Sequence, residues 1–80
     1  MDPKLNERLR ALLAEVLEVT LAPGEVTRAS LAQWDSLNHL RVVVAVEEEF
    51  SLRLEVDEVT SIASLADLET VVAGKLAAAA

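Results

Sequence analysis

The residues best placed for chemistry stand together at Trp34-Asp35-Ser36-Leu37, where an irregular stretch gives way to a long apolar-periodic segment with an acidic end. This spacing puts Ser36 at the first position of a helix and Asp35 at its N-cap, where a carboxylate accepts from free first-turn N–H groups. Those N–H groups and the positive end of the helix dipole favour an anion there. A hydroxyl pointing outward from that place is suited to carry a phosphodiester. The competing reading is a capped helix with Ser36 as ordinary first-turn filler.

Other groups offer less. His39 is the one histidine and lies three residues beyond Ser36, so the two side chains can approach each other on one helix. A hydrolase would also need an oxyanion hole and a substrate pocket, for which a small bundle has little room. His39 is therefore expected at the solvent-facing side or rim. Glu47-Glu48-Glu49 resemble metal ligands only superficially, because adjacent helix positions diverge by about 100° and cannot converge on one ion. There is no cysteine, which removes disulfides, zinc clusters and thiol nucleophiles, and two glycines make no phosphate loop. No catalytic residue and no metal site are expected.

The elements that must position Ser36 follow from apolar spacing. The expectation is an all-α fold, a small four-helix bundle with three main helices and a short third one, forming a single domain over residues 1–80. The first helix covers about 3–19: Leu5, Leu9, Leu12, Leu13, Val16 and Leu17 recur at helical intervals, and Asp2-Pro3 is a start signal. Leu21-Ala22-Pro23-Gly24 ends it, and Val26 and Leu31 anchor the connection. The second helix covers about 36–51, with Leu37, Leu40, Val43, Val44 and Phe50 as its buried stripe and Asn38, Arg41, Glu48 and Glu49 outside. Its β-branched run Val42 to Val46 is compatible with a strand, but the helical spacing on either side decides for helix. A short helix or turn covers about 56–62 and would bury Val56, Val59 and Ile62. The last covers about 64–77, opened by Ser64 with Asp67 in a capping-box variant and ending in a frayed alanine tail, Ala77 to Ala80.

Composition narrows the partners. Fourteen acidic against seven basic residues give a net charge of −7, which disfavours nucleic acid and anionic membranes and favours basic protein surfaces. No apolar run spans a membrane and the N-terminus has no signal-peptide pattern, so a soluble cytoplasmic monomer is the expectation. At 52% hydrophobic residues, the chain is too apolar for a disordered acidic tail.

The stretch from Trp34 through Asp35-Ser36-Leu37 to Glu47-Glu48-Glu49-Phe50 resembles the second helix of an acyl carrier protein. The likeness extends through Leu54, Ile62 and Leu65, and upstream to the loop at Glu25-Val26-Thr27. It implies that a phosphopantetheinyl transferase moves phosphopantetheine from coenzyme A onto Ser36, the arm's thiol then carrying an acyl or aminoacyl group as a thioester. Asp35 and Leu37 match the motif flanks. Partners implied are an acyl-loading ligase or acyltransferase and a ketosynthase or other acyl-processing enzyme. Glu47, Glu48, Asp57 and Glu58 match an acidic face read by basic patches, the alternative being a solvated helix face. Departures are Ala32-Gln33-Trp34 before the motif and Asn38 and Arg41 within the helix. They point to a stand-alone carrier of a specialised pathway. Trp34 either anchors the loop or offers an aromatic docking surface. A sheltered acyl chain would be lined by Val46, Val59, Ile62 and Leu68, which equally serve as core. The functional alternatives are an unmodified acidic interaction domain and a small enzyme using Ser36 and His39.

Overall fold

The computed structural model describes residues 3–79. It is all-α, with helices α1 (Pro3–Leu17), α2 (Ser36–Phe50), α3 (Val56–Ser61) and α4 (Leu65–Ala79). The Asp2 part of the expected start signal and Ala80 lie outside the described residues. The alanine tail does not fray at Ala77, since α4 continues to Ala79.

Helix α1 turns one leucine stripe inward: Leu5, Leu9, Leu13 and Leu17 are buried, with Leu12 and Val16 packed at the edge. The helix sits between α2 and α4 and touches both. From α4, Leu65, Leu68 and Val72 complete the core with Ile62, Val26 and Trp34. Full burial of each such side chain stabilises by about 1.5–3 kcal/mol, so a chain of this size depends on nearly all of them.

The long connection between α1 and α2 is fixed at several points. Gly24 takes a φ of +100°, which an L side chain rarely adopts, and turns the chain after Pro23. Arg10 reaches from α1 to the carbonyls of Ala22 and Gly24. Farther on, Thr27 and Ser64 form an antiparallel bridge, with Arg28 N donating to the Ala63 carbonyl and Leu65 N to that of Val26. Thus the connection is laced to the α3–α4 link before it reaches Ser36. At the start of α4, Ser64 Oγ accepts from Asp67 N at 3.1 Å, while the Asp67 carboxylate accepts from Ala63 N at 2.9 Å.

The buried face of α2 differs from the sequence expectation. His39, Val42, Val43, Val46 and Phe50 point inward, whereas Leu37, Leu40 and Val44 are 70%, 57% and 51% exposed. The expected stripe is wrong at those three positions. The physical reason lies in Trp34 and His39, described below. Val56, also expected inside, is exposed at the start of α3, where it lies outside the core formed with Ile62. The four residues proposed to shelter an acyl chain are also placed: Val46, Ile62 and Leu68 are fully packed into the core and Val59 is half-buried.

Candidate functional site

Ser36 opens α2 and is exposed. Asp35 stands before it in extended conformation, and its Oδ1 accepts from Asn38 N at 2.9 Å, which makes it the N-cap. The first helical bond runs from His39 N to the Asp35 carbonyl at 2.8 Å, so the N–H groups of Ser36 and Leu37 precede the ladder and have no intrahelical acceptor. Asn38 also donates through its side-chain amide to the Gln33 carbonyl at 2.7 Å, tying the first turn back to the connection.

The other serines compare poorly. Ser30 and Ser61 donate to nearby carbonyls, of Thr27 and Glu58, and Ser64 is buried while accepting from Asp67 N. Ser51 lies at the C-terminal end of α2, where the helix dipole disfavours an anion. Among the described residues no side chain hydrogen-bonds the Ser36 hydroxyl. It is therefore available, exposed and at the electropositive end of a helix, which fits a covalently held phosphate.

Sequence reasoning missed how Trp34 and His39, on either side of the serine in the chain, are buried. Trp34 is 2% exposed and His39 is 5% exposed. The Trp34 indole Nε1–H donates to His39 Nδ1 at 2.9 Å, and His39 Nε2 stands 2.8 Å from the Val59 carbonyl of α3. An indole N–H only donates and a carbonyl only accepts. These partners fix the neutral tautomer with its proton on Nε2. The expected rim position of His39 is thus corrected: burial costs no unmade hydrogen bond, because both ring nitrogens find partners. With both committed, His39 offers Ser36 no base. Trp34 anchors the connection on the core, and its alternative as a docking surface is corrected by its burial.

The acidic positions separate on inspection. Glu47 is half-buried and its Oε2 accepts from Leu54 N at 2.9 Å, closing the turn after α2. Glu58 caps α3 by accepting from Glu55 N and pairs with Lys75 of α4 at 2.8 Å. The Lys75 contact, aided by the Glu55 N–H, holds the Glu58 carboxyl below its ordinary range, and the same contact raises the Lys75 ammonium. Glu48 and Asp57 are exposed. What α2 presents beside Ser36 is instead a strip of Leu37, Leu40 and Val44 around Arg41, whose guanidinium donates to Asn38 Oδ1 at 3.2 Å. With Val16 and Ala45 this strip walls a shallow groove of about 390 Å³, with Glu48 at its edge. A hint was present in the sequence: apolar residues surround more of α2 than a one-sided helix needs.

The fold is a small helical bundle that displays one capped serine. The chain matches the family model described as phosphopantetheine attachment site over residues 7–72, and it belongs to that family. A comparison with curated proteins gives no match. Members of the family carry phosphopantetheine covalently on a serine. Such carriers work with phosphopantetheinyl transferases and acyl-processing enzymes. No described helix is long and apolar enough to cross a membrane, and no described cluster of His, Cys, Asp or Glu is arranged to hold a metal ion.

Proposed function

We propose that Ser36 is the attachment residue and that the protein is a non-catalytic acyl carrier. The observation that carries this reading is the exposed Ser36 hydroxyl at the first position of α2, beside the Asp35 cap, in a chain of this family. When bound, phosphopantetheine supplies a thiol on which an acyl or aminoacyl cargo is held, chemistry that a chain without cysteine lacks. The chain's own residues do the rest. Asp35 keeps the first turn formed, the Ser36 and Leu37 N–H groups would be available to the phosphate, and the start of α2 would present it to an enzyme.

The apolar strip around Arg41 supports a particular kind of partner. Leu37, Leu40 and Val44 adjoin the serine, and large apolar side chains left exposed beside a functional group suit a docking face. Arg41 at its centre matches a partner groove that is apolar with a carboxylate opposite the guanidinium. Glu47 and Glu58 are occupied within the fold and do not act as primary docking charges. Glu48 and Asp57 remain as rim charges, which act mainly on encounter rate. This face fits dedicated loading and acyl-processing enzymes of a specialised pathway better than enzymes reading an acidic helix.

The test is intact mass after incubation with coenzyme A and a broad-specificity phosphopantetheinyl transferase. Wild type should gain one phosphopantetheine. Ser36→Ala should gain none while its stability changes by no more than about 0.5 kcal/mol, as expected for an exposed site. Loading of a folded Ser36→Ala protein, or no loading of folded wild type, would sink the assignment; the latter favours an unmodified interaction domain.

A further inference from the structure

Trp34 and His39 bracket Ser36 in the chain, two residues before it and three after, and their buried side chains meet each other. The rings lie 6.0 Å apart between centroids with a 39° tilt, joined by the indole N–H to Nδ1 bond. From the far side of the imidazole, Nε2–H continues to the Val59 carbonyl. Helix α3 has only six residues and no fully buried side chain. Its position relative to α2 rests on Ile62, buried at its C-terminal end, and on polar ties, of which the bond from His39 is the one coming from α2's serine-bearing first turns. The second tie, Lys75 to Glu58, comes from α4.

We propose that His39 is a positioning residue for the modification of Ser36: through Trp34 it fixes the approach of the chain to the serine, and through Val59 it sets α3 in register with it. The proposal rests on Ser36 being the attachment residue. An imidazole serves this purpose because one neutral ring accepts on one nitrogen and donates on the other, and each partner demands one of those roles. Leucine would fill a similar volume but leave the buried indole N–H and the Val59 carbonyl without their bonds. Glutamine keeps one acceptor and one donor on its terminal amide. The enzyme that modifies the serine must bring its hydroxyl to a reacting phosphorus, and small displacements of a reacting atom are costly in rate.

The experiment compares wild type with His39→Leu, His39→Gln and Trp34→Phe as full chains. Each is a substrate for a broad-specificity phosphopantetheinyl transferase with coenzyme A, and kcat and KM for the carrier are measured well below each melting temperature. Amide spectra by NMR accompany the kinetics. His39→Leu and Trp34→Phe should lose about tenfold or more in kcat/KM, with amide shifts at Ser36, Leu37 and Val59, while His39→Gln should recover most of the rate. Folded His39→Leu modified at the wild-type kcat/KM, with those amides unmoved, overturns the proposal. If His39→Leu fails to fold, Trp34→Phe decides by the same two readouts, since it removes one donor and keeps a ring. If folded wild type takes no phosphopantetheine, the attachment reading fails separately, and unmoved Ser36 and Val59 amides in the variants would then still overturn the link between them.

Discussion

The cap at Asp35 gives the sharpest quantitative expectation. Asp35→Ala removes the acceptor that holds Asn38 N at 2.9 Å and leaves the extended backbone of the cap position, with φ −85° and ψ −176°, open to alanine. Losing an N-cap acceptor costs about 1 kcal/mol, and losing the negative charge near the helix start costs a further ~0.3–1 kcal/mol that salt screens. Unfolding entropy of ~2.1 cal/mol/K per residue amounts to about 0.17 kcal/mol/K for a chain of 80 residues, so each kcal/mol moves the melting temperature by about 6 °C. Asp35→Ala should therefore melt about 8–12 °C below wild type in low salt, with roughly 6 °C of the loss surviving in high salt. Asp35→Asn keeps an acceptor and should lose only the part that salt screens. Circular dichroism melts across a salt series measure this, and hydrogen exchange locates it: the Asn38 amide should exchange faster in the alanine variant and the Leu37 amide should not change. An alanine variant melting within about 1 °C of wild type would refute the capping argument.

Three further outcomes are expected. Arg41→Glu should speed transfer by enzymes that read an acidic helix by about three- to tenfold at low salt, with less gain at high salt; equal rates across the series would remove Arg41 from partner choice. Glu58 is held below its ordinary range in the folded protein, so its contribution is present above the unfolded value near pH 4 and is lost as the pH falls through the lower folded one. Lys75 is raised, so its contribution holds at neutral pH and is lost only as the pH climbs past the unfolded value, above about 10. Glu58→Gln should accordingly flatten the acid limb of the stability curve between wild type and variant; an unchanged limb would count against the Lys75 contact. Ser51 closes α2 at a φ of +53°, a left-handed position that favours glycine, and Ser51→Gly should raise stability by about 0.5–1 kcal/mol, read as melting temperature, while a decrease would contradict the strain argument.

Much of the fold was legible because α1 offers one unambiguous stripe. Leu5, Leu9, Leu13 and Leu17 repeat every four residues, and nothing on the opposite face competes for burial. The cap at Asp35 was legible for a similar reason: an acceptor side chain stands directly before an apolar-periodic run. Helix α2 carries two stripes that both satisfy helical spacing, one through Leu37, Leu40 and Val44, the other through His39, Val42, Val46 and Phe50. Side-chain hydrophobicity favours the leucine stripe, since it holds no polar group, and periodicity alone offers no means to choose otherwise.

What decides between the two stripes is not periodic. Burying His39 would be costly for an imidazole with unmet nitrogens, and it becomes acceptable only because Trp34, five residues away, supplies a donor and Val59, twenty residues away, supplies an acceptor. The first partner is local enough to be read from sequence as a donor seeking an acceptor; the second is a backbone carbonyl whose place depends on how α3 lands. Once His39 turns inward, geometry forces Leu37, Leu40 and Val44 outward beside Ser36. The same rotation that satisfies two buried polar groups thus creates the apolar face next to the serine. For this reason the exposed apolar strip escaped a reading that placed Leu37, Leu40 and Val44 in the core, and for the same reason acidic residues such as Glu47 and Glu58, legible as charges, were not legible as caps and ties within the fold.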